Sequence, residues 1–144
     1  MTGAELTPDE MAALQARAYK HMPPWSAVAL AEMIASPYAA TVKAAHGFAL
    51  GRVVIDEAEL LALAVDPDHQ RQGIAKTLLT RFETAARDKG AATCFLEVAE
   101  TNTPAREFYA AQGYKGIGKR GGYYRQKTGP AVDALLMSKS LTLR

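Results

Sequence analysis

Glu97 stands near the C-terminal end of the apolar run Cys94-Phe95-Leu96-Glu97-Val98. Ligands of open α/β sheets gather outside the carboxyl ends of the strands, so a carboxylate there is placed to act as a general base. Apolar neighbours would make it a stronger one, whereas a strand-end carboxylate reaching water is the ordinary alternative. Asn102 and Tyr109 follow closely. The Asn102 amide can meet a ligand lying beside the strand or merely shape a turn. Tyr109 shares a helical face with Ala105 and Phe108, so its ring belongs to a core and its hydroxyl to that core's edge.

Upstream lies a second candidate, Gln70-Arg71-Gln72-Gly73-Ile74-Ala75-Lys76, between the apolar run 60–65 and an amphipathic segment with Ile74, Leu78, Leu79, Phe82 and Ala86 at helical spacing. A strand, a turn carrying Arg and Gly, and an uncapped helix start leave backbone N–H groups aimed at one point, where the helix dipole also favours negative charge. A diphosphate fits such a cradle. A Walker loop does not, because that motif needs glycine where this chain has Ala75 and Gln70. The dinucleotide fingerprint fails as well, since Gly73 has no partner glycines at the required spacing.

The positioning elements can be read from caps and periodicity. Thr7-Pro8-Asp9-Glu10 is a capping box with proline at the first helical position, predicting a helix to about residue 19. Ser26 caps a second helix through residue 35. Strands are expected over 41–45, 48–55 and 59–65, joined by hairpins at His46-Gly47 and Asp56-Glu57-Ala58. A helix over 73–89 ends at Gly90, and a buried strand over 94–98 follows it. The right-handed crossover makes that strand parallel to 59–65. Thr103-Pro104 opens a last helix closed by Gly113, then strands near 114–119 and 132–138 flank a Gly-, Tyr- and base-rich loop over 121–130. The expected fold is a single α/β domain spanning 1–144, a mixed and mostly antiparallel sheet with a central parallel pair and flanking helices.

At 144 residues, 49% hydrophobic and 22% charged, the composition is that of a soluble globular chain. No apolar run is long enough for a membrane span, and the acidic N-terminus does not read as a secretory signal, so a cytoplasmic location is expected. The lone cysteine, Cys94, excludes an internal disulfide and reads as a packed small hydrophobe. His21, His46 and His69 show no metal-ligand spacing, so no metal is expected. Residues 1–72 carry a net charge of −4 and residues 73–144 one of +6, so the second half should attract anions.

Several runs together carry a resemblance: Asp56-Glu57-Ala58-Glu59-Leu60, Ala64-Val65-Asp66-Pro67-Asp68-His69-Gln70-Arg71-Gln72-Gly73, Leu96-Glu97-Val98, Asn102, Phe108-Tyr109 and Gly113-Tyr114. With Pro24-Trp25-Ser26, Tyr123-Tyr124 and Asp133-Ala134-Leu135-Leu136-Met137, the chain resembles the bacterial ribosomal-protein-alanine N-acetyltransferases of the GNAT superfamily along nearly its whole length. Gln70, Gly73 and Ala75 fill that superfamily's Gln/Arg-x-x-Gly-x-Gly/Ala loop. The resemblance implies acetyl-CoA as co-substrate, with Arg71, Gln72, Gly73, Ile74, Ala75 and Lys76 at its pyrophosphate. Ala64 and Val65 would meet its pantetheine arm, with Asn102 nearby. It implies Glu97 as general base and Tyr109 as general acid, and a protein N-terminus as acceptor near Trp25, Tyr123 and Tyr124. No nucleic acid or membrane partner is expected from it. Gly121-Gly122 departs from the family's Arg-Asn before the tyrosine pair, which bears on acceptor choice. Two alternatives remain at this stage: acetylation of lysine side chains or a small amine, and an RNA- or ribosome-binding module built on the run Lys119-Arg120-Gly121-Gly122-Tyr123-Tyr124-Arg125.

Overall fold

A computed structural model describes residues 6–19, 24–70, 72–124 and 131–142, with the side chains of Tyr123 and Tyr124 not among what is described. Arg71, His21 and the tip 125–130 of the expected loop lie outside the described residues. In chain order the elements are α1 (Pro8–Ala18), α2 (Ala27–Ala35), β1 (Ala39–Ala44), β2 (Gly47–Val54) and β3 (Glu57–Val65), followed by a 3₁₀ turn at Pro67–His69. Then come α3 (Ile74–Asp88), β4 (Thr93–Ala99), α4 (Thr103–Ala111), β5 (Lys115–Tyr124) and β6 (Val132–Ser140). The Thr7/Glu10 capping box is formed in both directions, and Ser26 caps α2 through the Ala29 N–H.

The strands form one six-stranded sheet in the order β1-β2-β3-β4-β6-β5. Every pairing is antiparallel except β3 with β4. Two apolar clusters sandwich the sheet. On one face Leu78, Leu79, Phe82 and Ala86 of α3 join Tyr109 of α4, and on the other Met11, Leu14 and Leu30 of α1 and α2 pack on Phe48 and Leu50. Strand β2 is therefore buried on both sides. Gly51 sits there by necessity, since a Cβ would run into the Glu59 carbonyl oxygen and come within 2.5 Å of the Phe82 ring.

One irregularity in β3 shapes the molecule. Gly51 pairs with Leu60 and Leu50 with Ala62, so Leu61 is an extra, bulged residue. The bulge switches the facing of the strand: Ala58 and Leu60 belong to the α3 side, while Ala62 and Ala64 belong to the α1/α2 side. It also coincides with the end of the parallel pairing, which joins only Glu57 to Thr93, Ala58 to Cys94 and Glu59 to Phe95. Beyond Glu59 the two strands part, although β4 stays paired to β6 through Ala99.

The first hairpin turns one residue earlier than the sequence suggests, at Ala45-His46, and the second turns tighter. Between β2 and β3 the turn falls at Ile55-Asp56 rather than over 56–58, with Ile55 at φ 58° and 87% exposed. A β-branched residue in that left-handed region is strained. The turn is held because the Asp56 carbonyl accepts the Ala92 N–H at 2.7 Å. Exchanging Ile55 for Asn relieves a strain of about 1 kcal/mol at no packing cost, and should raise the melting temperature by roughly 3 °C. Calorimetry that shows no rise would refute this account of the turn.

The expected loop over 121–130 is partly strand. Strand β5 continues to Tyr124, which pairs with Val132, across a register shift between Arg120 and Tyr124. Gly121 and Gly122 thus lie at an irregularity of a strand, where Gly122 takes φ 59° and donates its N–H to Asp133 Oδ1 at 2.8 Å. Glycine read as a loop signal because both contexts call for positive φ.

Beneath β4, Glu83 of α3 is 4% exposed yet satisfied. It accepts the Tyr114 hydroxyl at 2.9 Å and the Lys139 ammonium at 3.0 Å, tying α3 to the sheet. Cys94 is buried in the same cluster as expected, and burial pushes its thiol up to about 11 despite a hydrogen bond with Tyr114.

Candidate active site

Where β3 and β4 part, a gap opens. Leu61, Ala62 and Leu63 line one wall, Leu96 to Ala99 the other, with Asn102, Ala105 and Tyr109 of the α4 region and Tyr19 at the end of α1 completing it. Leu96 and Val98 belong to the α3/α4 face, so the alternation of β4 turns Glu97 to the opposite face. The gap is thus bordered from both faces of the sheet, and its walls are strand edges without a neighbouring strand. Backbone groups on such edges are ready to pair with an extended ligand.

Glu97 and Tyr109, expected from the sequence to share a site, both line this gap. Tyr109 is 9% exposed and sits edge-on to Phe108 and Tyr114, with ring centroids 5.1 and 5.8 Å away. Glu97 differs from expectation. Its surroundings are not only apolar: Arg120 Nη2 of β5 lies 2.6 Å from Glu97 Oε1, reaching past β6, while the carboxylate side chain remains only 15% exposed. Beside it Lys119 Nζ pairs with Glu100 Oε1 at 3.1 Å. Two of the three cations of the basic run 119–125, Lys119 and Arg120, are therefore engaged by carboxylates at the end of β4, and the third, Arg125, lies outside the described residues. Arg120 was not among the sequence-derived site residues, because its placement depends on the β5–β6 register and not on local composition.

Asn102 is the N-cap of α4, with Oδ1 accepting the Ala105 N–H at 3.2 Å. The amide nitrogen and the second lone pair of Oδ1 remain for a ligand contact. Trp25 lies at the gap's edge, 36% exposed, with its indole N–H donating to the bulged Leu61 carbonyl at 3.3 Å. Its backbone N–H donates to Oε1 of the buried Gln15 at 2.7 Å.

The polar turn lies past the end of β3. Ala64 and Val65 are 3% and 8% exposed, and the Val65 carbonyl accepts a 3.4 Å hydrogen bond from Gln70 Nε2. Gly73 is the N-cap of α3 in the left-handed conformation, φ 77°, and offers no side-chain cap. The intrahelical bonds begin with Thr77 N–H to Gly73 O at 3.1 Å, so the amides of Ile74, Ala75 and Lys76 precede the ladder. No acidic residue occupies the first turn. Ile74 and Ala75 pack on the core while Lys76 is exposed, leaving a positive helix end open to an anion.

Just ahead of the turn the fold joins two distant histidines. His46 and His69 stack with centroids 3.5 Å apart and planes 5° from parallel, and with Asp66 their ligand atoms fall within 4.8 Å of one another. Stacked parallel rings keep their nitrogen lone pairs in two separate parallel planes, and Asp66 is already held by two hydrogen bonds from Arg17. The Asp68 N–H and the Arg17 guanidinium hold the Asp66 carboxyl below the usual carboxylate range. The trio reads as a clamp on the turn ahead of the coenzyme-type loop.

Residues 13–114 match the Acetyltransferase (GNAT) family. The chain belongs to the GNAT acetyltransferases. Enzymes of this family take their acetyl group from acetyl-CoA. Within the family this GNAT domain is 33% identical over 141 residues, 95% of each chain, to the [ribosomal protein bS18]-alanine N-acetyltransferase of Escherichia coli K12. It is 40% identical over 91 residues to the Haemophilus ducreyi enzyme of the same name, a match spanning 63% of each chain. The crystal structure of the E. coli ribosomal-protein-S18-alanine N-acetyltransferase superposes with a TM-score of 0.80 at 32% identity, covering 92% of this chain and 86% of that one. This chain is thus an acetyl-CoA-dependent N-acetyltransferase with the expected single mixed α/β sheet.

Proposed function

We propose that this GNAT enzyme acetylates the N-terminal α-amine of a protein, the N-terminal alanine of a small-subunit ribosomal protein, by direct transfer in a ternary complex with acetyl-CoA. The observation that carries this reading is the gap at the β3 bulge, which brings a carboxylate, a phenol and two open strand edges to one place beside an uncapped helix start. The near full-length likeness to bS18-alanine N-acetyltransferases supports the acceptor. A ribosomal acceptor implies work in the cytoplasm, and no described helix is long and apolar enough to cross a membrane.

In this reading the amides from Gln72 to Lys76, with Arg71 and Gln70, receive the pyrophosphate. The edge at Ala64 and Val65 receives the pantetheine arm with Asn102 nearby, and Trp25, Tyr123 and Tyr124 border the acceptor. The amine nitrogen bonds to the thioester carbonyl carbon, and the C–S bond breaks. The surplus amine proton passes to Glu97, directly or through a water, while the departing thiolate takes the Tyr109 phenolic proton. An α-amine with pKa ~7.7–8.0 is roughly a tenth neutral at pH 7, against under a thousandth for lysine at ~10.4, so the base's task is modest for an N-terminus. Glu97 and Tyr109 are the acceptor and donor of these protons, and no metal is invoked.

Tyr109→Phe should lower turnover by about 10²-fold. Acetyl-CoA affinity, measured by calorimetry, stays within about twofold, because the ring keeps its packing. Near-normal turnover would remove Tyr109 from the mechanism. For the acceptor, peptides with free and with blocked N-termini are compared by mass spectrometry, varying the first three residues. Acetylation of the free N-terminus is expected, and acetylation confined to internal lysines would refute the assignment.

A further inference from the structure

We propose that Arg120 is a positioning residue that denies Glu97 to a protonated amine, so that the acceptor enters this site only in its neutral form. The inference rests on the reading of Glu97 as the base. Its ground is geometric: a half-exposed guanidinium, with its side chain 52% exposed, sits 2.6 Å from a carboxylate only 15% exposed. Any amine that approaches Glu97 must share that carboxylate with a cation already on it.

A carboxylate alone beside an amine subsite is a liability. At pH 7 most α-amines are ammonium ions. Their natural contact with a carboxylate is an ion pair, in which the nitrogen has no lone pair and cannot attack. Such binding is tight and nonproductive. A guanidinium about 5 Å from the arriving nitrogen penalises the ammonium form by about 10²-fold at an effective dielectric constant of about 20, and leaves the neutral amine unaffected. Lys119, the neighbouring cation on β5, cannot substitute, since it pairs with Glu100.

Other ionisable groups lining the gap do not supply this effect. Tyr19 and Tyr109 are phenols, a class that ionises near ~10. They face the gap from the end of α1 and from α4.

The test measures acceptor-peptide affinity for the coenzyme A-loaded enzyme by calorimetry at pH 6 and pH 8, together with KM and kcat, in wild type, Arg120→Gln, Arg120→Lys and Glu97→Gln. If only the neutral amine binds, wild-type affinity falls roughly 30- to 50-fold from pH 8 to pH 6, following the neutral fraction of an α-amine. In Arg120→Gln the fall should shrink to a few-fold. KM and kcat should drop together there, most at low pH, while kcat/KM changes little, which is the mark of nonproductive binding. Arg120→Lys restores the wild-type pattern, because charge rather than shape is at issue. An Arg120→Gln enzyme whose peptide affinity keeps the wild-type pH dependence, with KM unchanged and kcat reduced, overturns the inference and leaves Arg120 a structural prop. Failure of the base reading is separate: Glu97→Gln would then retain turnover, whatever Arg120 does.

Discussion

Glu97→Gln lowers turnover of an N-terminal peptide by about 10²–10⁴-fold, the usual contribution of a general base. The amide keeps the shape of the side chain and an oxygen for the Arg120 guanidinium, so the loss isolates proton acceptance from packing. The pH dependence gives the reading its sign. Without an enzyme base, the proton that the amine nitrogen sheds on attack must be taken by hydroxide from solvent, whose concentration rises tenfold per pH unit. The deficit relative to wild type is therefore largest at low pH and narrows towards pH 9. Stopped-time assays from pH 6 to pH 9 measure it. A variant whose deficit is the same at every pH would point to misplacement of the acceptor rather than a missing base.

That prediction depends on a site only half legible in the sequence. Caps and turns announced themselves: Thr7 with Glu10, Ser26 before α2, and Gly90 and Gly113 after α3 and α4, which adopt φ 99° and 97°. These are local rules, satisfied within a few residues. Glu97 and Tyr109 could likewise be named from a strand end and a helix face. The gap between them could not. It follows from one extra residue in β3, and Leu61 lies in an apolar run, Leu60-Leu61-Ala62-Leu63, where a shift of register leaves no trace in hydrophobic alternation.

Arg120 was hidden for a related reason. Its neighbour in space is fixed by two strand pairings, Arg120 with Ala134 and Glu97 with Leu136, and neither partner advertises its register. His46 and His69 show the same limit, since a hairpin and a turn after β3 bring them into contact. Local chemistry selects elements and caps. Long-range register decides which charges meet.

Gly73 offers the second large effect, and one that separates two reasons for a glycine in an anion cradle. A Cβ there meets nothing within 4 Å, so Gly73→Val starts with open space around its first side-chain atom. What it opposes is the left-handed φ of 77° that aims the first amides of α3. Holding a β-branched residue in that region costs about 1–2 kcal/mol. The free enzyme sheds this cost by turning the peptide away, and coenzyme binding must restore it. Acetyl-CoA affinity therefore falls by about 5- to 30-fold, at 1.4 kcal/mol per tenfold, while the melting temperature moves little. Gly73→Asn tests the cause, because asparagine tolerates the left-handed region and should recover most of the affinity. If calorimetry finds Asn as damaging as Val, the glycine is needed for close approach of the ligand to the backbone and not for its conformation. The helix start would still be the anion site, but its fit would be set by contact distance rather than by the aim of its amides.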